Sequence, residues 1–383
     1  MRIAINGMFW SEPHVGSGQY LHNLVRYLAE QPGGHRYILI VPRYRLGTQR
    51  KPALPFFQTV SMPTPFDTRH EQLAKLWFEQ IAFGQAARKL RAHVWHVPYF
   101  GPPRVAPAPL VVTVHDLIPL LLPEYRGGRA VQAYMRLAAA ATRRADLILA
   151  DSQHTRQDLL GRLGVPAARV LVTYLAAGDE LHPRPEAQVR AVRERFGLDA
   201  DYVYYIGGFD ARKNVATAIR AFARARRQLN RRVVLALAGR VPAAPSELFP
   251  DIHSVILEEE AAADVALLGP VSAEEHAALL SGCAAFVYPS RYEGFGLPPL
   301  EAMQCGAPVL AAATTSVGEV VGDGGLLLDP DDVAAWSAAL ARVLSQPALR
   351  DDLRRRGLAR AARFRWSETA AQTRAAYERL KRR

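Results

Sequence analysis

The sixteen-residue stretch Tyr288–Met303 contains residue types that could bind a phosphate group and sugar hydroxyls. Gly294 and Gly296 precede a helical pattern with prolines in its first turn, where the missing proline amide would be unpaired in any case. Glycines let the backbone approach a ligand closely, and amides at a helix start bind anions. Glu293 and Glu301 flank this loop, and a carboxylate can accept hydrogen bonds from two neighbouring hydroxyls at once. Taken singly, each glutamate would be a cap or surface residue; the complete string predicts a binding site.

A second candidate segment, Tyr205–Asn214, places two cations beside a glycine turn. Arg212 and Lys213 follow Gly208 and precede a predicted helix. Positive charge at the positive end of a helix is costly unless an anion offsets it, and a diphosphate is the expected anion. The alternative is a basic helix start exposed to solvent.

The first half of the chain offers a histidine and a glycine loop. His115 and Asp116 stand at the carboxyl end of a predicted strand, where a histidine can act on a ligand or be structural. Asp116 could orient the imidazole or cap the following turn. Gly16 and Gly18 lie in the first loop, where they would let the backbone approach a phosphate or an acceptor.

Size and composition restrict the classes of protein that could carry these residues. The 383 residues are too many for one ordinary core and predict two domains. No run of about 18 uncharged apolar residues suggests a membrane span, and the N-terminus does not have the pattern of a secretory signal. Cys283 and Cys305 imply neither a disulfide framework nor a thiolate metal site. A cytoplasmic location is expected.

The net charge of +12 is unevenly distributed. Residues 1–180 contain 21 basic and 12 acidic side chains, whereas residues 181–383 contain 27 and 24. A basic first half could face an anionic membrane surface, a phosphorylated acceptor or nucleic acid, or be an arginine-rich solvated surface. Nucleic acid is the least expected partner, because there is no basic tail, RNA-binding aromatic signature or zinc spacing.

Short β-branched runs alternate with helical patterns, which indicates parallel sheets covered by helices. The predicted strands are Arg2–Asn6, Tyr37–Val41, His93–Val97, Leu110–His115, Asp146–Ala150, Tyr202–Ile206, Val233–Ala238, Val265–Leu268, Ala284–Tyr288, Pro308–Ala312 and Leu326–Leu328. The predicted helices are Gln19–Glu30, His70–Arg91, Arg129–Arg144, Gln153–Leu163, Val215–Arg227, Ala273–Ser281, Leu297–Gln304, Val333–Leu344, Pro347–Ala362 and Trp366–Leu380. The region 175–198, which contains Pro183, Pro185 and charged residues, is expected to hold the domain boundary and a short linker helix.

This alternation predicts two doubly wound domains, residues 1–180 and 181–365, with a ligand cleft between them. A final amphipathic helix in residues 366–383, with Ser367 as its cap, is expected to pack back towards the first domain.

The motifs resemble those of the retaining glycosyltransferase family 4. Glu293 and Glu301, separated by seven residues, match its E-x7-E motif, and Gly269–Glu275 is similar to its segment beside the nucleobase. The segment around His115 resembles that of a bacterial mannosyltransferase-like branch. The resemblance implies the GT-B fold, with a nucleotide-sugar-binding C-terminal domain and an acceptor-binding N-terminal domain.

The resemblance also implies roles for the candidate residues. Glu301 would bind the ribose hydroxyls, Glu293 would contact the donor sugar, and His115 would lie near that sugar. Arg212 and Lys213 would neutralise the departing diphosphate. The implied catalytic residues are His115, Glu293, Arg212 and Lys213, and the implied donor-binding residues are Gly16, Gly18, Gly208, Arg212, Lys213, Val271, Ser290, Glu293, Gly294, Phe295, Gly296, Leu297 and Glu301.

Two segments depart from the family pattern. Gln19 stands where the family has an arginine after its glycine pair, which weakens a charge role for this loop. Tyr174–Asp179 lacks the usual asparagine–glycine turn at the domain junction. Asp329-Pro330-Asp331 has the D-x-D pattern of metal-dependent glycosyltransferases, but it directly precedes a helix, so Asp331 or Asp332 is expected to be a cap. Neither a metal nor another cofactor is expected.

The implied activity is transfer of a hexose from a nucleotide diphosphate sugar, with retention, in bacterial cell-surface polysaccharide synthesis. Mannose is the favoured sugar and GDP is favoured over UDP. The acceptor would be a saccharide or a lipid-linked saccharide, with contact to an anionic membrane as a further option. The alternatives are a sugar-phosphate synthase on the same scaffold and an inactive nucleotide-sugar-binding protein. A pyridoxal-dependent phosphorylase is disfavoured because the five lysines offer no good Schiff-base candidate besides Lys213.

Overall fold

The chain forms two compact units, each built around a parallel sheet. The computed structural model describes residues 1–46 and 54–381. Unit 1 comprises Met1–Leu175 together with the segment that starts at Trp366, and unit 2 comprises Ala176–Arg365. The junctions therefore fall at 175/176 and 365/366, beside the sequence-based boundaries at 180/181 and 365/366.

In the described part of the chain, unit 1 contains a seven-stranded sheet in which all pairs are parallel. Its strands are β1 (Arg2–Asn6), β2 (Arg36–Pro42), β3 (Phe57–Met62), β4 (Val94–Val97), β5 (Leu110–Val114), β6 (Leu147–Ala150) and β7 (Val170–Val172). The order across the sheet is β3-β2-β1-β4-β5-β6-β7. The two edge strands, β3 and β7, were missed by the sequence analysis, because neither has the long apolar run of a central strand.

The helices of unit 1 cover this sheet. They are α1 (Gly16–Glu30), α2 (Arg43–Leu46), α3 (Glu71–Trp77), α4 (Phe83–Lys89), α5 (Ile118–Leu121), α6 (Arg129–Thr142) and α7 (Gln153–Leu163), joined by the C-terminal helix Trp366–Lys381. The single helix predicted over residues 70–91 is interrupted by the π-helical turn Phe78–Ala82.

Unit 2 contains a six-stranded sheet, again with parallel pairs, in the part of the chain that the structure describes. Its strands are β8 (Asp201–Ile206), β9 (Val233–Ala238), β10 (Val265–Gly269), β11 (Ala285–Tyr288), β12 (Val309–Ala312) and β13 (Leu326–Leu328), in the order β10-β9-β8-β11-β12-β13. Its helices are α8 (Glu186–Arg195), α9 (Val215–Arg226), α10 (Ile252–Glu258), α11 (Ala273–Gly282), α12 (Leu297–Gln304), α13 (Thr315–Val321), α14 (Val333–Ser345) and α15 (Pro347–Ala361), and the C-terminal helix is α16. Helices α10 and α13 were not predicted.

Polar side chains mark several helix starts. The Ser272 hydroxyl accepts from the amide of Glu275, and the Glu275 side chain in turn accepts from the amide of Ser272, which is a capping box. Asp332 accepts from the amide of Ala335 and caps α14, as predicted. The prediction that Ser367 caps the last helix is wrong, because α16 already begins at Trp366.

The order of strands fixes where ligands should bind. Strand order reverses between β1 and β4 in unit 1 and between β8 and β11 in unit 2. In open parallel sheets, ligands bind beyond the carboxyl ends of the strands at such reversals. No helix in residues 1–46 or 54–381 is both long and apolar enough to cross a bilayer.

Helix α16 is tied to the sheet of unit 1 by a buried hydrogen bond. The Tyr377 hydroxyl lies 2.7 Å from Nδ1 of His96, which is fully buried on β4. The other ring nitrogen of His96 lies 2.8 Å from the hydroxyl of Thr113 on β5. Helix α16 therefore packs as part of unit 1.

Helix α1 begins at Gly16, three residues earlier than predicted, so both loop glycines belong to its first turn. A Cβ atom added to Gly18 would lie 1.8 Å from the Glu12 carbonyl oxygen, whereas one added to Gly16 would meet nothing within 4 Å. We expect Gly18→Ala to lower the free energy of unfolding by about 1–3 kcal/mol or more, because backbone must move. The matched control, Gly16→Ala, should be neutral or stabilising by up to about 1 kcal/mol. Urea denaturation measures both, and equal midpoints would contradict the close packing of Gly18 on Glu12.

Candidate active site

The strand reversal of unit 2 brings the two candidate segments together. Strands β8 and β11 are neighbours, so the loops that follow them meet at one edge of the sheet. Arg212 and Lys213 follow β8, and Glu293 follows β11. Nη1 of Arg212 lies 2.8 Å and Nζ of Lys213 lies 2.7 Å from Oε1 of Glu293. The structure therefore joins three of the predicted site residues in one ion-pair cluster.

Oε1 of Glu293 is the centre of this cluster. Besides the two cations, it accepts hydrogen bonds from the hydroxyls of Ser290, at 2.6 Å, and Tyr288, at 2.9 Å. Burial alone would raise the pKa of Glu293, but the charges of Lys213 and Arg212 outweigh it and lower the pKa to about 2. Glu293 is consequently ionised across the physiological range.

The cations therefore have partners within the chain. Glu293 pairs with both, and Oδ1 of Asp210 lies 3.5 Å from Nε of Arg212. The sequence-based argument that a diphosphate must offset Arg212 and Lys213 overlooked these carboxylates, because Glu293 is eighty positions away in the chain. Lys213 also donates to the Tyr288 hydroxyl at 2.6 Å. In the described part of the chain, the third donor of Lys213 has no protein acceptor.

The loop after β11 leads into α12 through a residue whose backbone φ angle is positive. Gly296 has φ of +104°, a conformation that favours glycine, and it precedes the helix at Leu297. Pro298 and Pro299 follow and have no amide hydrogen, so the start of α12 has fewer donors than an ordinary helix. Gly294 and Phe295 are buried before it, and the Phe295 ring packs edge-on against Phe364 at 6.0 Å.

Glu301 lies on α12 and has a partner that the sequence analysis missed. Nε2 of His276, on α11, is 3.3 Å from Oε2 of Glu301, and Nδ1 of His276 is 3.2 Å from the buried Tyr204 hydroxyl. His276 directly follows the segment 269–275 that the family resemblance singled out. The sequence therefore drew attention to the neighbourhood of His276. Its contact with Glu301 arises only from the packing of α11 beside α12.

Two further predicted residues of unit 2, Gly208 and Val271, lie in loops. Gly208 lies exposed in the loop after β8, where its carbonyl accepts from the Tyr205 hydroxyl, and Val271 lies half-buried before α11. Asp331 of the D-x-D pattern pairs with the exposed Arg291. Residues 1–46 and 54–381 contain no group of three or more acidic, histidine or cysteine side chains arranged to hold a metal.

Unit 1 places His115 where the carboxyl ends of three adjacent strands meet. Pro98 follows β4, His115 follows β5 and Asp151 follows β6. Nδ1 of His115 lies 2.6 Å from Oδ2 of Asp151, and Nε2 lies 3.2 Å from the Pro98 carbonyl oxygen. One-fifth of the His115 side chain is exposed.

The orienting residue of His115 is therefore Asp151, and the suggestion that Asp116 orients the imidazole is wrong. Oδ1 of Asp116 instead accepts from the amide of Ile118 at 2.9 Å, which is the capping alternative. Asp151 was not among the candidate residues of the sequence analysis. Ser152 caps α7, but Asp151 beside it contacts His115.

The two loop glycines of unit 1 differ in exposure. Gly16 is exposed and Gly18 is buried in the first turn of α1. Aromatic side chains pack in pairs in this unit: Trp10 stacks on His22 at 4.0 Å, and Phe66 packs edge-on against Trp77 at 5.9 Å. Tyr99 is buried, and Trp77 and Phe100 pack against the core cluster that contains it.

Two units, each with a doubly wound parallel sheet and with site residues at its strand reversal, have the architecture of the GT-B fold. Solved structures of this fold superpose on nearly the whole chain. Sucrose-phosphate synthase from Thermosynechococcus elongatus matches with a TM-score of 0.76 and 23% identity, covering 99% of each chain. Anabaena HepE, solved with UDP and glucose, matches with a TM-score of 0.74 and 18% identity, again covering 99% of each chain. At these identities the likeness shows the fold alone.

The chain belongs to glycosyltransferase family 4. The model for "Glycosyltransferase Family 4" matches residues 15–176, and the model for "Glycosyl transferases group 1" matches residues 190–360. The O-antigen chain mannosyltransferase B of Escherichia coli is 34% identical over 297 residues, which are 77% of this chain and 76% of that protein. The predicted family is thus confirmed, and the protein is a glycosyltransferase.

Because the pKa of Glu293 is lowered in the folded protein, the free energy of unfolding should depend on pH. Because its folded pKa of about 2 lies below its ordinary value of 4.5, the cluster stabilises the fold above pH 4.5 and loses this contribution as the pH falls towards 2. We expect Glu293→Gln to destabilise the protein by about 3 kcal/mol at pH 7 and progressively less at acid pH.

Urea denaturation between pH 7 and pH 2.5 measures this difference, with the exposed Glu274→Gln as the matched control. A deficit of the Glu293 variant that stays constant over this range would show that the carboxylate is not held ionised by Arg212 and Lys213.

Proposed function

We propose that this protein transfers a hexose, with mannose favoured, from a nucleotide diphosphate sugar to a saccharide or lipid-linked saccharide acceptor. The proposed setting is bacterial cell-surface polysaccharide synthesis. The observation that carries the proposal is the cluster of Arg212 and Lys213 on Glu293 at the strand reversal of unit 2. The relative from Escherichia coli, named as an O-antigen chain mannosyltransferase, supports the choice of sugar and setting.

The donor diphosphate is assigned to unit 2 on electrostatic grounds. Glu293 holds Lys213 and Arg212 in place, so they would need little reorganisation when charge develops on a leaving phosphate. The third donor of Lys213 is directed by the same anchors, Glu293 and Tyr288. Such preorganised cations would replace a metal as the stabiliser of the leaving group, and no cofactor is proposed.

The nucleoside is assigned to the neighbourhood of Glu301. Its carboxylate is fixed through Oε2 by His276, and 17% of its side chain is exposed. Oε1 has no hydrogen-bond partner in the described part of the chain, so it could accept the hydroxyls of a ribose. GDP-mannose is favoured as the donor through the resemblance to bacterial mannosyltransferases, and a UDP-sugar is the second choice.

The proposed reaction retains the configuration of the donor sugar. The acceptor hydroxyl oxygen attacks the anomeric carbon from the face that the diphosphate leaves. As that bond forms, the bond to the β-phosphate oxygen breaks and its electron pair stays on the phosphate. The acceptor proton passes to the leaving phosphate oxygen, so no nucleophilic carboxylate is needed. Arg212 and Lys213 stabilise the resulting charge.

Substitutions in unit 2 test the donor assignment. Lys213→Gln should lower kcat/KM by about 10²- to 10³-fold, the usual effect of removing one stabiliser of the leaving group. Glu301→Gln should weaken GDP binding by about 10- to 100-fold, because a charged hydrogen-bond acceptor is lost. Transfer assays and titration calorimetry measure these changes, with the exposed Glu186→Gln and Arg232→Gln as controls. Wild-type behaviour of both site variants would refute the assignment.

Further assays test the choice of nucleotide, the stereochemistry of transfer and the two alternative functions. In a thermal-shift panel, a nucleotide that binds the native state raises the melting temperature, and GDP should raise it more than UDP or ADP. An α-linked early product from GDP-α-mannose, detected by NMR, supports retention, whereas a β-linked product excludes it. Binding without transfer to any acceptor would favour the inactive-binder alternative, and a sugar-phosphate product would favour the synthase.

Peripheral contact with an anionic membrane at the cytoplasmic face is also proposed. Residues 1–180 carry the excess of basic side chains, and α3 exposes Leu73 and Leu76 with 45% and 36% accessibility. Exposed Arg69 precedes this helix. A basic surface beside exposed apolar side chains is suited to anionic lipid headgroups.

Sedimentation with liposomes tests this contact. Binding should require anionic lipid, fall with rising salt, and decrease in a Leu73→Gln/Leu76→Gln variant, because charge attraction is screened and apolar contact is lost. The matched control is Leu257→Gln, which alters a leucine of unit 2 with 68% accessibility. Equal sedimentation with neutral and anionic vesicles would contradict the proposal.

A further inference from the structure

His115 has an acceptor at each of its two ring nitrogens. Nδ1 faces a carboxylate oxygen of Asp151 at 2.6 Å, and Nε2 faces the carbonyl oxygen of Pro98 at 3.2 Å. A neutral imidazole has one N–H, so it can satisfy only one of two acceptors, whereas an imidazolium donates from both nitrogens. A backbone carbonyl can never become the donor, which leaves the ring or Asp151 to carry the extra proton.

We propose that Asp151 is a positioning residue that holds His115 in the doubly protonated form. His115 then presents a positive charge to the substrate and has no ring nitrogen available as a base. The protonation of the His115 ring is inferred from contacts within unit 1 alone. The role of its charge during sugar transfer rests on the proposed function.

The surroundings of Asp151 support an ionic pair. The residue is 1% exposed, and its Oδ1 has no hydrogen-bond partner in the described part of the chain. A buried carboxylate remains ionised only when a cation compensates its lost hydration. A contact of 2.6 Å is as short as charge-assisted hydrogen bonds are. Burial lowers the pKa of His115, but the charge of Asp151 and the hydrogen bond to it prevail and raise the pKa above its ordinary value. Burial also raises the pKa of Asp151, an effect that the charge of His115 and the hydrogen bond to it oppose.

The other groups that face His115 add little opposing charge. Asp116, next in the chain, also raises the pKa of His115. Tyr20 of α1 packs edge-on against the ring at 4.9 Å, and its burial raises the pKa of its hydroxyl, so it stays neutral. His96 of β4 is buried, which lowers its pKa to about 3, so it too is neutral at physiological pH.

This assignment changes the expected dependence of activity on pH. If His115 acts as a cation, transfer is supported below its pKa and declines as the pH rises through that raised value. A histidine that acted as a base would show the opposite trend, with activity lost on acidification. Asp151→Asn keeps the shape and one hydrogen bond but removes the charge, so it should move the alkaline limb to lower pH.

The direct experiment is a ¹⁵N NMR titration of histidine-labelled full-length protein. His115→Gln identifies the His115 signals, and both ring nitrogens should have the chemical shifts of protonated nitrogen at pH 7. In Asp151→Asn the titration midpoint should fall, because burial is then opposed only by Asp116 and the Pro98 carbonyl. Asp158→Asn is the matched control, since Asp158 lies 3.4 Å from Nε2 of His154 on α7, and it should leave the His115 signals unchanged.

The outcomes separate this inference from the proposed function. A wild-type His115 with one unprotonated nitrogen at pH 7, or a midpoint unmoved in Asp151→Asn, overturns the inference even in an active enzyme. A protonated ring whose midpoint falls in the variant supports it, whatever the donor proves to be. A parallel fall in kcat of about 10- to 100-fold, similar to that for partners orienting metal-bound histidines, would extend the role to catalysis. A melting temperature close to that of the wild type confirms that the variant is folded.

Discussion

One buried carboxylate organises the candidate donor site. Arg212 and Lys213 both point at Oε1 of Glu293, and without this anion two cations would be held close together with little hydration. Their attraction to Glu293 exceeds its cost of burial, which is why its pKa falls to about 2 although only 13% of its side chain is exposed. The positions of the loops after β8 and β11 therefore depend on each other, and contacts within the chain fix the geometry of the cations.

A related arrangement recurs in unit 1, built from strand ends and a different pair of side chains. Parallel strands place all their carboxyl ends at one edge, so residues distant in sequence become neighbours there. Asp151 and His115 are brought together in this way by β5 and β6. In both units a carboxylate from one loop holds a basic side chain from the adjacent loop. The sheets thus determine the separation of the charges, and the loops supply the chemistry.

The parts of this molecule that sequence predicts are those encoded by local pattern. Central strands such as Val233–Ala238 are continuous apolar runs, and the helix Leu297–Gln304 begins at a glycine and prolines, so both were predicted with their correct bounds. The half-buried edge strand Phe57–Met62 has no comparable run and was missed. Motif spacing likewise identified Glu293, but Asp151 could not be distinguished from Asp116, which is adjacent to His115. Pairing of β5 with β6 brings Asp151 to His115, and local sequence patterns do not reveal which strands pair.

Glu293 would also affect how strongly a site of the proposed kind binds the intact donor relative to the transition state. Two unpaired cations would bind a ground-state diphosphate tightly and gain little further when the glycosidic bond breaks. Because Glu293 already offsets part of their charge, the attraction for the intact donor is reduced. The cations nevertheless remain fixed beside the position where negative charge increases during bond cleavage. Interactions that strengthen in the transition state raise kcat, whereas uniform binding lowers only KM. Glu293 would then contribute to turnover through the charges that it positions, without itself attacking the sugar.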